Sequence, residues 1–129
     1  MRRMAGAMLG VAVALALGAC SSGGGGGGGG TATCAPAGTS LSVAAKGFKF
    51  DTDCLAAPAD TAFTIEFQNQ DAGAPHNVAI LDDQGTKPFT GAIVNGVKTV
   101  TYQVGALPAG TYTFHCDVHT TMNGAFVVK

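Results

Sequence analysis

Residues 31–129 predict an all-β domain, a sandwich or barrel of about seven to eight short strands. Three observations carry that expectation. Apolar and polar residues alternate with a period of two in several runs, as a half-buried strand requires. Clusters of Gly, Pro, Asn and Asp interrupt these runs at short intervals. No segment sustains a helical period over ten residues. The length of this region suits one core closed between two layers.

Each element follows in chain order. Leu41, Val43 and Ala45 alternate with Ser42, Ala44 and Lys46, and Phe48 and Phe50 follow past Gly47. Phe63, Ile65 and Phe67 alternate with Thr64, Glu66 and Gln68, the cleanest half-buried strand in the chain. His76, Val78 and Ile80 share one parity, and Val100, Tyr102 and Val104 share a face of a later strand. Tyr112, Phe114 and Cys116 alternate with Thr111, Thr113 and His115, and Ala125 to Val128 ends the chain as a short apolar strand. Turn chemistry separates the runs at Asp71 to Pro75, Asp82 to Gly85, Asn95-Gly96 and Leu107 to Gly110. The stretch from Asp83 to Asn95 shows no strand pattern and reads as loop.

The N-terminal 30 residues read differently. Arg2 and Arg3 precede an apolar stretch from Ala7 to Leu17, too short for a confident membrane span, so residues 1–19 read as a secretory signal. Leu17-Gly18-Ala19-Cys20 resembles a bacterial lipobox, in which the Cys becomes the lipidated first residue of the mature protein. Cleavage near Ala19 without lipid, or an uncleaved anchor, are the alternatives. Ser21, Ser22 and eight consecutive glycines follow. Residues 20–30 are therefore expected to be a lipid-bearing Cys and a flexible tether, since glycine offers nothing to bury and is expensive to order. As a coil, ten such residues span roughly 16–19 Å. Beyond residue 30 the chain carries five Lys against eight Asp and Glu, a net charge of −3. With no basic patch, a nucleic-acid partner is not expected.

The cysteines sort by context. Cys20 belongs to the signal and Cys116 sits among histidines. Cys34 and Cys54 remain, and an exported chain meets oxidising conditions, so they are expected to pair rather than stay as free thiols. A loop of that length stabilises the fold by about 3 kcal/mol on the entropic account.

The run from Gly110 to Gly124 carries the chemistry. Cys116, His119 and Met122 stand at C-x2-H-x2-M between two apolar strands. A thiolate, an imidazole and a thioether on one turn form a soft donor set suited to copper. A blue copper site also needs a second His, and His76 opens an earlier strand with the parity of Val78 and Ile80. Cys116 has the parity of Tyr112 and Phe114, so both candidate ligands point inward. His115 has the opposite parity, which removes it and leaves a partly exposed surface His. Zinc is the competing metal, but its structural sites fill all four places with Cys or His, and Met122 would stand in the fourth here. Asp117, Asp82, Asp83 and Glu66 read most simply as solvated carboxylates.

Pro75-His76-Asn77-Val78, the Gly-Thr-Tyr-x-Phe-His-Cys strand and the short C-x2-H-x2-M loop before Asn123-Gly124 together resemble a small type 1 copper cupredoxin of the plastocyanin and amicyanin kind, over about Leu41 to Val128. The resemblance implies a Greek-key β-sandwich with one type 1 copper ion near one end, and Asn77 zipping the two ligand loops together. It also implies a monomeric one-electron carrier rather than an enzyme, with a redox protein docking near His119 and with Val118, Ala74, Pro75, Thr120 and Met122 as rim. The expected location is extracytoplasmic, periplasm or cell surface, with a lipid on Cys20 in the membrane. A copper-binding role in storage, delivery or resistance is the alternative. Proteins of that kind more often use several Met or His, and this chain has one Met beyond the signal. Thr120 departs from the family, where Pro is frequent after the loop His.

Overall fold

The computed structural model describes residues 34–129, so the expected signal, Cys20 and glycine tether lie outside the described residues. Ten strands are present among the described residues: β1 (Ser40–Ala45), β2 (Cys54–Ala57), β3 (Phe63–Asn69), β4 (Pro75–His76), β5 (Ala79–Leu81), β6 (Phe89–Thr90), β7 (Val94–Asn95), β8 (Lys98–Val104), β9 (Gly110–His115) and β10 (Asn123–Val128). No helix occurs among the described residues. Three of the strands are only two residues long, which accounts for the excess over the expected seven to eight. Two of those, β6 and β7, interrupt the stretch read as loop from Asp83 to Asn95. A two-residue pairing is too short to leave a period in the sequence.

The strands form two main sheets and one small ribbon. One sheet has the order β1-β3-β8, the other β2-β10-β9-β5-β6, and β4 pairs with β7 alone. β1 runs parallel to β3, with Ser40 opposite Thr64 and Ala45 opposite Asn69. β10 runs parallel to β2 and antiparallel to β9. The remaining pairs are antiparallel.

The alternation seen in the sequence becomes the core. Leu41, Val43, Phe63, Ile65, Phe67, Tyr102 and Val104 from the first sheet meet Leu55, Ile80, Phe114, Phe126 and Val128 from the second in one buried cluster. The aromatic contacts span the two layers: Phe63 stacks on Phe126 with ring centroids 5.6 Å apart, and Phe50 meets Phe114 at 5.1 Å. Gly124 is required here, because a Cβ at that position would lie 2.5 Å from the Phe114 ring and 2.7 Å from the Asp53 carbonyl. Cys34 and Cys54 form the expected disulfide, with Cα atoms 6.1 Å apart. It fastens the segment leading into β1 to the first residue of β2, and so ties an edge strand of one sheet to an edge strand of the other. All the elements that matter for chemistry end at one pole, where the turn after β1, the β3–β4 loop, β4, β7 and the β9–β10 connection converge.

Candidate metal centre

His76 reaches this pole as the last residue of β4, placed by pairing with Val94 of β7. It is fully buried. Its Nε2–H donates to Asp71 Oδ2 at 2.9 Å. An ionised carboxylate has no proton to give, so the proton must sit on Nε2, and Nδ1 is left with a free lone pair aimed the other way. Cys116 follows the end of β9 and is also fully buried as a free thiol. His119 lies on the connection to β10, half-buried. That connection closes on itself: Met122 N–H donates to His119 O at 2.8 Å, and Cys116 N–H donates to Met122 O at 3.0 Å. Met122 is buried in the same cluster as Cys116.

Three donor atoms therefore meet. Cys116 Sγ lies 3.8 Å from His76 Nδ1 and 3.9 Å from His119 Nδ1, and the two Nδ1 atoms are 3.2 Å apart. Two nitrogens and a sulfur bound to one ion at bonds of about 2.0–2.3 Å must sit about 3.1–3.8 Å from one another. Two sides fall in that range and the Cys116–His119 side lies just beyond it, so a small movement of the His119 ring would close the triangle on a single ion. Two imidazoles and one thiolate with a thioether nearby are the donor set of a type 1 copper site, whereas a structural zinc site would use a fourth Cys or His.

Asn77 connects the two limbs. Its Oδ1 accepts from Asp117 N–H at 2.8 Å, and its Nδ2 donates to Gly91 O and to Asp117 Oδ2, both at 2.9 Å. The His76 strand and the Cys116 loop are thereby joined through a side chain with no exposure of its own. Asn77, Val78 and Ala79 are all as buried as His76, so the strict in–out parity expected from the sequence breaks where the chain leaves β4.

Two readings of single residues change. Asp117 is not a solvated loop carboxylate. It accepts from Asn77, from His115 Nε2 at 3.0 Å and from Lys87 Nζ. Burial pushes its pKa up, but the hydrogen bonds from Lys87, Asn77 and His115 outweigh that and bring it down to about 2. Thr120 remains on the exposed rim with Val118, whereas Ala74 and Met122 lie beneath it, buried. His115 stays out of the donor cluster, bonded to Asp117. Two participants escape the sequence reading altogether. Asp71 registers there only as a turn residue, yet it holds His76. Phe48 registers as a strand residue, yet its ring packs edge-on against both imidazoles, 5.0 Å from His119 and 5.5 Å from His76 by centroid. The backbone N–H groups of Gly47 and Phe48 are the main reason Asp71 is held below the usual carboxylate range; burial opposes them and His76 adds to them.

Residues 8–128 match the cupredoxin-like domain family. No curated protein matches the chain. Among solved structures, a dithionite-reduced auracyanin from the photosynthetic bacterium Roseiflexus castenholzii is 18% identical, with a TM-score of 0.64 over 73% of this chain and 99% of that one. Auracyanin A, a "blue" copper protein from Chloroflexus aurantiacus, is 22% identical, with a TM-score of 0.62 over 70% of this chain and 98% of its own. Amicyanin from Paracoccus versutus is 24% identical, with a TM-score of 0.54 over 73% and 84%. At such identities the likeness establishes the fold.

Proposed function

Because this chain belongs to the cupredoxin-like domain family, we propose that it is a type 1 copper protein that carries single electrons outside the cytoplasm. His76 Nδ1, Cys116 Sγ and His119 Nδ1 would hold one copper ion, with the Met122 thioether as the fourth donor. The observation that carries the reading is the triangle of donor atoms, 3.2–3.9 Å on a side. Copper bound there supplies a one-electron couple between its two oxidation states.

The chain's own residues supply the rest. Asp71 fixes the tautomer of His76 and Asn77 fixes the separation of the two limbs, so little has to move when the charge of the site changes. The buried walls around Cys116 keep water from the sulfur. His119 lies nearest the solvent, between exposed Val118 and Phe48, and its ring edge is the port for a redox partner docking through a small patch. Carriage of electrons is favoured over copper storage or delivery because the donors are few, buried and pre-arranged, where exchange of cargo calls for open and replaceable ones. The Cys34–Cys54 disulfide supports an oxidising compartment. A domain over residues 31–129 held to a membrane by a lipid on Cys20, through the glycine tether, completes the reading.

Titration of the protein with Cu(II) tests it. One equivalent is expected to give intense blue colour and a narrow parallel hyperfine splitting in electron paramagnetic resonance, and Cys116→Ser is expected to abolish both while the fold persists. A pale, tetragonal spectrum would overturn the assignment. Mass spectrometry of the mature N-terminus tests the lipid on Cys20, and an unmodified residue there rules out the anchor.

A further inference from the structure

The turn after β1 has a feature that packing does not account for. Lys46 N–H donates to Lys49 O at 2.9 Å and Lys49 N–H donates to Lys46 O at 3.2 Å, so the chain reverses over two central residues. Both have positive φ, 61° at Gly47 and 58° at Phe48. Two-residue turns of this kind select Asn-Gly, Asp-Gly or Gly-Gly, because each central residue must enter the left-handed region. Glycine does so freely, whereas a bulky aromatic there is an outlier that persists only where its surroundings over-determine it. Phe48 gains no core burial in return, since it is 54% exposed. What the conformation does achieve is to lay the ring edge-on across both imidazoles, at interplanar angles of 77° to His76 and 82° to His119.

One carboxylate maintains this arrangement. Asp71 Oδ1 accepts from Gly47 N–H at 2.6 Å, and Asp71 Oδ2 accepts from Phe48 N–H at 3.1 Å and from His76 Nε2–H at 2.9 Å. The group that orients the first imidazole is also the group that pins the backbone carrying the aromatic. A shift of either would be felt by the other.

We propose that Phe48 and Asp71 are further working parts of the metal centre: Asp71 is a positioning residue for His76 and for the strained turn, and Phe48 is an aromatic cover that limits the access of small reagents to the ion. The inference rests on the copper assignment of the preceding section. It predicts that the cover can be removed without harm to the fold. Asn tolerates the left-handed region, so Phe48→Asn relieves the backbone while deleting the ring.

The experiment follows extraction of copper from the loaded, reduced protein by excess bicinchoninate, a Cu(I) chelator, beside thermal unfolding of the metal-free protein. Phe48→Asn is expected to speed extraction at least tenfold and to leave the blue spectrum of the oxidised form and the melting temperature unchanged, or the latter raised. Phe48→Tyr, which keeps the ring, is expected to extract at the wild-type rate. Asp71→Asn is expected to speed extraction similarly and, unlike Phe48→Asn, to shift the charge-transfer band and raise the reduction potential, because His76 loses an anionic partner. Wild-type extraction by Phe48→Asn overturns the cover, and a melting temperature lowered by several degrees makes Phe48 a packing residue instead. An unchanged spectrum and potential in Asp71→Asn overturns the positioning role. A wild-type protein that takes up no copper overturns the centre itself, so the two failures are told apart.

Discussion

The two imidazoles at the pole are held in opposite ways. His76 stands on a strand, wholly buried, with its far nitrogen on Asp71 and its neighbour Asn77 bonded across to the other limb. His119 stands on a seven-residue connection between β9 and β10, half-buried. Among the described residues no carboxylate or carbonyl takes its far nitrogen, and its ring contacts are Phe48 and His76. One side of the centre is scaffold, set by folding alone. The other is a loop whose backbone is closed but whose ring, on the proposed reading, would gain its final anchor from the ion. The proposed carrier would have use for both: a fixed geometry on the inner side, and a ring edge near solvent on the outer side as a port for electrons.

Substitution of each imidazole in the metal-free protein is the most severe test of this contrast. His76→Ala removes a buried ring and leaves Asp71 without one partner, and is expected to cost about 2–4 kcal/mol of stability in urea unfolding. His119→Ala removes a half-buried ring in contact with Phe48 and His76, and is expected to cost less, under about 1 kcal/mol. Equal losses would break the distinction between scaffold and loop. A smaller effect is expected where the two sides are joined. Asn77→Ala strands Asp117 N–H and Gly91 O in a buried setting, at about 1–3 kcal/mol. It is also expected to broaden the copper resonance, since the Cys116 limb is no longer tied to the His76 strand. Loss of stability with an unaltered spectrum would reduce Asn77 to a fold residue.

How far each side can be read from the sequence follows the same division. Strand β3 is legible because Phe63, Ile65 and Phe67 are buried while Glu66 is exposed, so burial writes a period of two into the chain. Strand β2 is not, because Leu55, Ala56 and Ala57 are buried in succession and alanine carries little strand preference. At the centre, Cys116, His119 and Met122 are legible as a set because one short connection carries all three. His76 is reached by parity, although the burial of Asn77 and Val78 beside it shows that parity is a local rule there. Asp71 and Phe48 are illegible for a plain reason. They lie 23 residues apart, and their meeting depends on how the turn after β1 stacks on the β3–β4 loop. Asp117 looks like a loop carboxylate because its partners Asn77 and Lys87 are 40 and 30 residues away. The one local hint is an apolar residue after Gly47, in a turn where Asn or Gly would be usual.

The subtlest expected effect probes the Asp117 junction through pH. Its pKa in the folded protein, about 2, lies below the ordinary value of 3.8. A carboxylate depressed by folding adds stability that is fully present above its unfolded pKa and is lost as pH falls through the folded one. The contribution of Asp117 should therefore hold above pH of about 4 and drain away toward pH of about 2. Screening by solvent at a partly exposed site keeps it to about 1 kcal/mol. Other carboxylates, Asp71 among them, titrate over the same range, so the wild-type slope alone is uninformative. The difference between wild type and Asp117→Asn cancels them. In urea unfolding of the metal-free protein, that difference is expected to be level from pH 6 to about 4 and to shrink progressively toward pH of about 2. A gap that stays constant across the window would mean that Asp117 joins the limbs by hydrogen-bond geometry alone, with no contribution from its charge to Lys87 and His115.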